Sequence, residues 1–303
     1  MELTAAPTAI PARSGGFLHV GAGLGDVARR FYLTDTYERL ASLEEPTFIL
    51  CFSHNPSAMD FFRFHPNHRN LVTCDLGHIY LSLQSDPSFD NRELNRKLFS
   101  LCGFTPEQDL SRRREPKPIG HFHAPDSLGN ISGHVVLHPF GRGWGDWPPA
   151  TCELVKTALR AVPDSVRIFV VSADYTSPEG RRKTETFSCD LPNVTVLKNL
   201  SGPATFSLVA SASRFIGTGS ALAQVAAFER IPSVILHPQR CSDFKPPYNA
   251  YSRTVWDSNG ISVAFDACPL PELRESLERF LRNPEAVPVM REEFASFAPI
   301  PAL

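Results

Sequence analysis

The sequence lacks most of the features that would place a protein outside an aqueous, reducing compartment. Its seven cysteines, at positions 51, 74, 102, 152, 189, 241 and 268, form no CxxC pair and are odd in number. That argues against a disulfide framework or a thiolate zinc site as the organising feature and reads as reduced, mostly buried thiols. No apolar run approaches the roughly 20 residues needed to span a bilayer. Residues 1–15 are rich in Ala, Pro and Thr but have neither the basic start nor the apolar centre of a signal peptide, and read as a disordered leader. Neither sign of charge dominates: 30 Lys and Arg stand against 32 Asp and Glu, so no global basic field points to nucleic acid. No Asp-x-Asp pair and no His/Cys/Asp cluster at metal-ligand spacing is found. The expectation is a soluble, cytoplasmic protein with no bound metal or organic cofactor.

What the sequence does contain is alternation. Its 303 residues, 42% of them hydrophobic, suffice for two cores. Short apolar runs alternate with helical patterns, the signature of βα units around mostly parallel sheets. The first half reads as a strand at 17–20, a helix to about 43, a strand at 47–52, a helix opened by Asn55-Pro56, a strand at 71–74 and a helix at 91–102. Residues 104–132 lose periodicity and read as the connection between domains. The second half restarts with a strand at 134–138, a helix at 150–161, strands at 166–171 and 193–197, and a helix at 204–212. It continues with a strand at 214–216, a helix to 229, a strand at 233–236 and a closing helix at 271–281. The fold class is therefore α/β: two Rossmann-like domains, 16–130 and 131–303, facing a central cleft at the carboxyl ends of their strands.

Two glycine-rich turns sit after a strand and before a helix. Gly21-Ala22-Gly23-Leu24-Gly25-Asp26 resembles a dinucleotide fingerprint without its spacing, and a carboxylate at a helix start repels a diphosphate. Asp26 is therefore read either as an N-cap or as a functional acid. Gly217-Thr218-Gly219-Ser220 carries no carboxylate and adds two hydroxyls, which suits a phosphate; the alternative is an ordinary βα turn with a Ser/Thr cap.

Taken together, the motif order over roughly residues 17–281 resembles the lipopolysaccharide heptosyltransferase family of GT-B glycosyltransferases. The residues that carry the resemblance are Gly25-Asp26 at the first helix and His138-Pro139 through Trp147-Pro148 at the start of the second domain. They continue with Leu197 to Gly202, the segment Phe215 to Ala227, and Pro232 to Leu236. The chain departs from the family at two places. Gly219-Ser220-Ala221 and Gln224 stand where Asp-[Ser/Thr]-Gly and a His are usual. The Lys before Trp-Pro is replaced by Gly145-Asp146, leaving Arg142 as the nearest cation.

The resemblance implies an inverting, metal-independent glycosyltransferase that moves a sugar from a nucleotide-sugar donor to a hydroxyl acceptor such as a glycan or lipid-linked sugar. Asp26 would be the base, with Gly23, Gly25 and Arg113 on the acceptor side. Arg142, Trp144, Thr218, Gly219, Ser220 and Gln224 would hold the donor. Trp144 and Trp147 read either as stacking platforms or as a loop cover and a core residue. Arg112-Arg113-Arg114 reads as an anion contact or a solvated linker run, Phe61 to Pro66 as an acceptor pocket or core, and His121 with His123 as a loop pair or a ligand pair. Two other functions fit the same sequence: a sugar-nucleotide epimerase or hydrolase of GT-B shape, and a non-catalytic nucleotide-sugar-binding or assembly subunit. A nicotinamide oxidoreductase is disfavoured, because neither glycine turn has the required spacing.

Overall fold

A computed structural model of the chain describes residues 15–21, 23–42, 47–52, 56–68, 71–76, 79, 83, 91–124, 131, 133–141, 146–176, 182–238, 260–266 and 268–283. The chain divides into two α/β units, Met1–Pro116 and Lys117–Leu303. The division falls ahead of the 130/131 boundary suggested by composition, and hydrogen bonding explains why. Leu110 N–H donates to the Phe17 carbonyl at 2.8 Å and Arg114 N–H to that of Leu33 at 3.0 Å, which ties the segment after residue 104 to the first unit. Beyond the division, the N–H groups of Ile119 and Gly120 both donate to Glu229 Oε1 at 2.9 Å. Phe122 N–H meets Ser207 Oγ at 2.9 Å. The described part of the aperiodic stretch is therefore held by hydrogen bonds, to the first unit up to residue 116 and to the second from 117 to 124.

In the first unit, β1 (Phe17–Val20), β2 (Thr47–Cys51) and β3 (Leu71–Asp75) form a parallel sheet in the order β1-β2-β3. The single helix expected up to residue 43 is two, α1 (Leu24–Leu33) and α2 (Thr36–Ser42). Thr34 ends the first by donating its hydroxyl to the Arg30 carbonyl at 2.6 Å. α3 (Pro56–Arg63) and α4 (Asn91–Leu101) complete the unit's helices among the described residues. Phe17 and Leu50 from the sheet and Phe52 just after β2 pack with Leu94, Leu98 and Phe99 of α4 and with Phe104. Phe61 and Phe62 are buried, and Phe61 meets Phe31 edge-on at 5.2 Å. The core reading thus holds for those two rings, whereas Phe64 is exposed.

The second unit contains β4 (Val135–His138), α5 (Pro149–Leu159), β5 (Ile168–Ser172), β6 (Asp174–Thr176), β7 (Arg182–Thr184) and β8 (Val194–Lys198). It continues with α6 (Gly202–Ala210), β9 (Arg214–Gly217), α7 (Ala221–Phe228), β10 (Ser233–His237), β11 (Gly260–Ala264) and α8 (Leu270–Arg282). Six of these strands make one parallel sheet in the order β11-β10-β9-β4-β5-β8, while β6 and β7 pair as a separate antiparallel hairpin. The hairpin and β11 were not expected from the sequence pattern. β5 and β10 are buried at every position, as interior strands covered on both faces must be. Leu154, Val155 and Leu159 of α5 pack in one core with Leu273, Leu277 and Phe280 of α8. Each such side chain contributes roughly 1.5–3 kcal/mol on burial.

Strand order is what positions a site. The chain runs outward from β4 through β5 to β8, then returns to lay β9 against the other side of β4 and proceeds to β10 and β11. This is the doubly wound arrangement, and the direction of winding reverses between β4 and β9. At such a reversal the connections leave the sheet on opposite faces and open a crevice at the carboxyl ends of the two strands.

A candidate ligand site at the winding reversal of the second unit

The carboxyl ends of β4 and β9 are His138 and Gly217, which are register partners across the parallel pair. Gly217 is dictated by space: a Cβ there would stand 2.6 Å from the Phe215 ring and 3.1 Å from the His138 carbonyl oxygen. The chain then turns through Thr218, whose N–H donates to that same carbonyl at 3.0 Å and whose side chain is buried. Gly219 and Ser220 follow, both partly exposed. Ser220 is the N-cap of α7: its backbone is extended and its Oγ accepts the Ala223 N–H at 3.4 Å. Gln224, one turn along, keeps a buried Oε1 with no hydrogen-bond partner among the described residues.

His138 joins the two strand ends. Its Nδ1 lies 3.0 Å from Ser220 Oγ, and its ring meets Phe140 edge-on at 6.2 Å. Burial lowers its pKa to about 4, against the opposing pull of Asp146, so the ring is neutral at pH 7. Asp146 is itself occupied, accepting the Gly141 N–H at 3.2 Å and pairing with Lys183 at 2.7 Å. Trp147 is a core residue whose indole N–H donates to the Leu236 carbonyl at 3.3 Å, so of its two readings the structural one holds. Arg142 and Trp144 lie outside the described residues. A cavity of about 310 Å³ opens beside this loop, lined by Phe140, Trp147, Cys152, Lys156, Glu185 and Phe187 among others.

In the first unit Asp26 is neither a free carboxylate nor the N-cap. It is the third residue of α1, and its Oδ2 accepts the N–H of the N-cap residue, Gly23, at 3.1 Å. Its other oxygen pairs with Arg29. Gly21 makes room for it, since a Cβ there would meet that of Asp26 at 2.6 Å. Gly23 and Asp26 are thus together, and Gly25 lies inside the first turn of the helix. Arg113 is placed elsewhere: it bridges to Thr34, at the far end of α1. A helix of ten residues is roughly 15 Å long. Arg113 is exposed, whereas Arg114 is held by Glu38 and donates to the Phe31 carbonyl at 3.0 Å. The arginine run is therefore not a uniform solvated linker.

Two groups of residues received no role in the sequence reading. One is His138, visible there only as the residue before Pro139. The other is a polar network on the side of β1 away from β2, where Asp109 bridges to Phe17. His19 Nδ1 lies 3.2 Å from Asp109 Oδ2, the same carboxylate is held by Arg30, and Ser111 Oγ donates to Oδ1 at 2.7 Å. Burial raises the pKa of Asp109, but its bonds to His19 and Ser111 and the Arg30 charge outweigh that and hold the carboxyl well below the usual range. His19 is pushed down by burial despite its bond to Asp109. No signal short of a three-dimensional arrangement links residues 19, 30 and 109. His121 and His123 stack edge-on at 5.7 Å as a loop pair.

No protein-family model and no curated protein matches the chain. Among solved structures it is similar to E. coli ADP-heptose lipopolysaccharide heptosyltransferase II, with 12% identity and a TM-score of 0.49 over 90% of this chain and 100% of that one. It is similar to E. coli heptosyltransferase WaaC with ADP at 12% identity and a TM-score of 0.48, covering 88% of this chain and 97% of that one. It is also similar to the iron-containing dodecameric glycosyltransferase TibC of enterotoxigenic E. coli at 14% identity and a TM-score of 0.40. That likeness covers 79% of this chain and 63% of TibC, so the chain spans less than two thirds of the TibC length. At these identities a likeness concerns the path of the chain, not its chemistry.

Proposed function

We propose that the protein is an inverting glycosyltransferase whose second unit binds a nucleotide-sugar donor and whose first unit presents the base, Asp26, to an acceptor hydroxyl. The observation that carries the reading is the winding reversal between β4 and β9, where β9 runs into a carboxylate-free turn with Gly217 and Gly219 and two hydroxyl residues. Backbone N–H groups and the start of α7 offer a diphosphate the partial positive charge it needs, and Arg142 adds a full one. The acceptor oxygen attacks the anomeric carbon, the bond from that carbon to the phosphate oxygen breaks, and Asp26 takes the hydroxyl proton. The nucleoside diphosphate leaves with the bonding electron pair. Because protein groups meet the leaving charge, the reaction runs without a metal. The acceptor is a glycan, a lipid-linked sugar or another hydroxyl compound.

A thermal-shift screen of the full chain against UDP-, ADP-, GDP-, CMP- and dTDP-sugars and the corresponding free nucleotides, each with and without EDTA, tests the reading. Binding at a hundredfold excess over Kd stabilises the folded state by about 2.7 kcal/mol. A rise confined to one nucleotide family and insensitive to EDTA supports the proposal. No rise with any compound sinks it.

One observation favours a second reading, a non-catalytic donor-binding subunit: the Asp26 carboxylate is already engaged by Gly23 and Arg29. Turnover separates the two. A protein that binds a nucleotide sugar but transfers or hydrolyses none, in any acceptor extract, is the subunit.

A further inference from the structure

We propose that His138 is a ligand-binding residue of the β4–β9 crevice whose tautomer is set by Ser220, so that it presents a neutral Nε2–H to an anionic oxygen of the bound diphosphate. The inference rests on the reading of that crevice as a nucleotide-sugar site and adds a residue that the sequence motifs did not assign.

The tautomer follows from counting protons. Ser220 Oγ has one proton to give, and as the N-cap it receives the Ala223 N–H at 3.4 Å. Among the described residues the acceptor within reach of that proton is His138 Nδ1, 3.0 Å from Oγ. Were Nδ1 the protonated nitrogen, Ser220 Oγ would receive two N–H donors and its own proton would have no acceptor among the described residues. With the hydroxyl donating instead, each group in the chain is satisfied: Ala223 N–H to Ser220 Oγ, Ser220 O–H to His138 Nδ1. The ring proton then resides on Nε2.

The position of the ring follows from the sheet. His138 is the last residue of β4 and sits in register with Gly217, the last of β9, so it stands at the reversal itself. Phe140 packs against its edge and Ser220 holds its Nδ1 side, which fixes the ring from two directions. Burial keeps it uncharged, although Asp146 pulls the other way. The crevice therefore offers a diphosphate a directed hydrogen bond from His138 and no additional full charge, and this contact does not change between about pH 6 and pH 8.

The test uses the two amides that each copy half of an imidazole. His138→Asn places a carbonyl oxygen near Nδ1, keeping the Ser220 hydroxyl satisfied, but has nothing at the Nε2 position. His138→Gln reaches the Nε2 position with an N–H group and gives up the Nδ1 acceptor. Titration calorimetry with ADP, UDP, GDP, CDP and dTDP on the full chain reads out binding, and the melting temperature of each variant monitors folding. The expected result is at least a tenfold rise in Kd for His138→Asn at an unchanged melting temperature, with His138→Gln within about threefold of wild type. Wild-type affinity in both variants overturns the proposal, as does loss of affinity in His138→Gln alone, which would make His138 only a support for Ser220. The tautomer has its own measurement: side-chain 15N NMR must show a pyridine-like Nδ1 and a pyrrole-like Nε2 for His138, and the reverse pattern refutes it. If wild-type protein binds none of the nucleotides, the ligand half falls together with the reading of the crevice, while the NMR result decides the Ser220 lock independently.

Discussion

The imidazole of His134 lies 2.9 Å from the carbonyl oxygen of Leu208, fully buried and edge-on to the Phe169 ring at 5.3 Å. Nε2 donates to that carbonyl, and Nδ1 has no partner among the described residues. Burial lowers the pKa of His134 below 6.5; the Leu208 bond opposes this and the Arg167 charge adds to it. The folded state therefore resists the proton that the unfolded state accepts. Stability is complete above about pH 6.5 and falls as the pH drops from there toward the folded pKa. Urea denaturation at about pH 7 and pH 5 should show a lower midpoint at the acid end. His134→Gln, which keeps an N–H donor for Leu208 and cannot titrate, should show a smaller drop. An identical drop in the variant would remove His134 as a cause.

Gly217 leaves no room for a side chain. In Gly217→Ala the new Cβ meets the Phe215 ring and the His138 carbonyl, atoms buried in a sheet interior. Overpacking of this kind costs about 1–3 kcal/mol. The expected outcome is a lowered melting temperature together with weakened nucleotide binding. Unchanged stability would mean that the sheet relaxes around the methyl group.

Asp26→Asn separates the structural work of this side chain from its chemical work. An amide oxygen can still accept the Gly23 N–H, so stability should change by less than about 1 kcal/mol, the typical value of a lost cap. Nucleotide binding should be unchanged. Turnover should fall by roughly two orders of magnitude or more, the contribution of a positioned general base. Stability should drop further in Asp26→Ala, which also loses the cap. Full activity in Asp26→Asn would exclude Asp26 as the base.

Glu229 holds the start of the second unit with one oxygen atom. Glu229→Ala removes the acceptor of both Ile119 and Gly120 N–H groups, at a cost of about 1–3 kcal/mol if they stay out of water. Limited proteolysis should then cut within residues 117–124 sooner than in wild type, whereas Glu229→Gln, which keeps an oxygen there, should resist. Equal cutting rates in Glu229→Ala and wild type would show that Ser207 and Phe122 hold the segment without help.

The parallel sheet of the second unit was legible because its interior strands are continuous apolar runs, and Val135 to Leu137, Ile168 to Val171 and Val234 to Leu236 admit little else. The crevice turn was legible for a related reason: a Gly-Thr-Gly-Ser run between a strand and a helix has few physical explanations. What the sequence hid are relationships set by distance along the chain. The break between α1 and α2 depends on a local hydroxyl bond from Thr34, which periodicity does not register. β6 and β7 are three residues each, too short to alternate visibly. The Asp109 network joins residues 79 and 90 positions apart, and the His138–Ser220 bond joins residues 82 apart. Spacing of that size carries no pattern, so chemistry built on it is read only after folding.

The strand order β8-β5-β4-β9-β10-β11 also sets a sequence of events in time. A chain emerging from its N-terminus completes β4, β5 and β8, a three-stranded parallel half-sheet, before any residue of β9 or α7 exists. The proposed binding turn belongs wholly to the half that arrives second. His138 is made early and waits for Ser220, and long-range pairings of this kind are the slow ones in folding. The proposed ligand site is therefore a late product of folding: a chain halted before β9 owns half of a sheet and none of the turn that follows Gly217. A ligand of this site consequently reports on completion of the second unit, and adding it during refolding should pull the last step forward without altering the first.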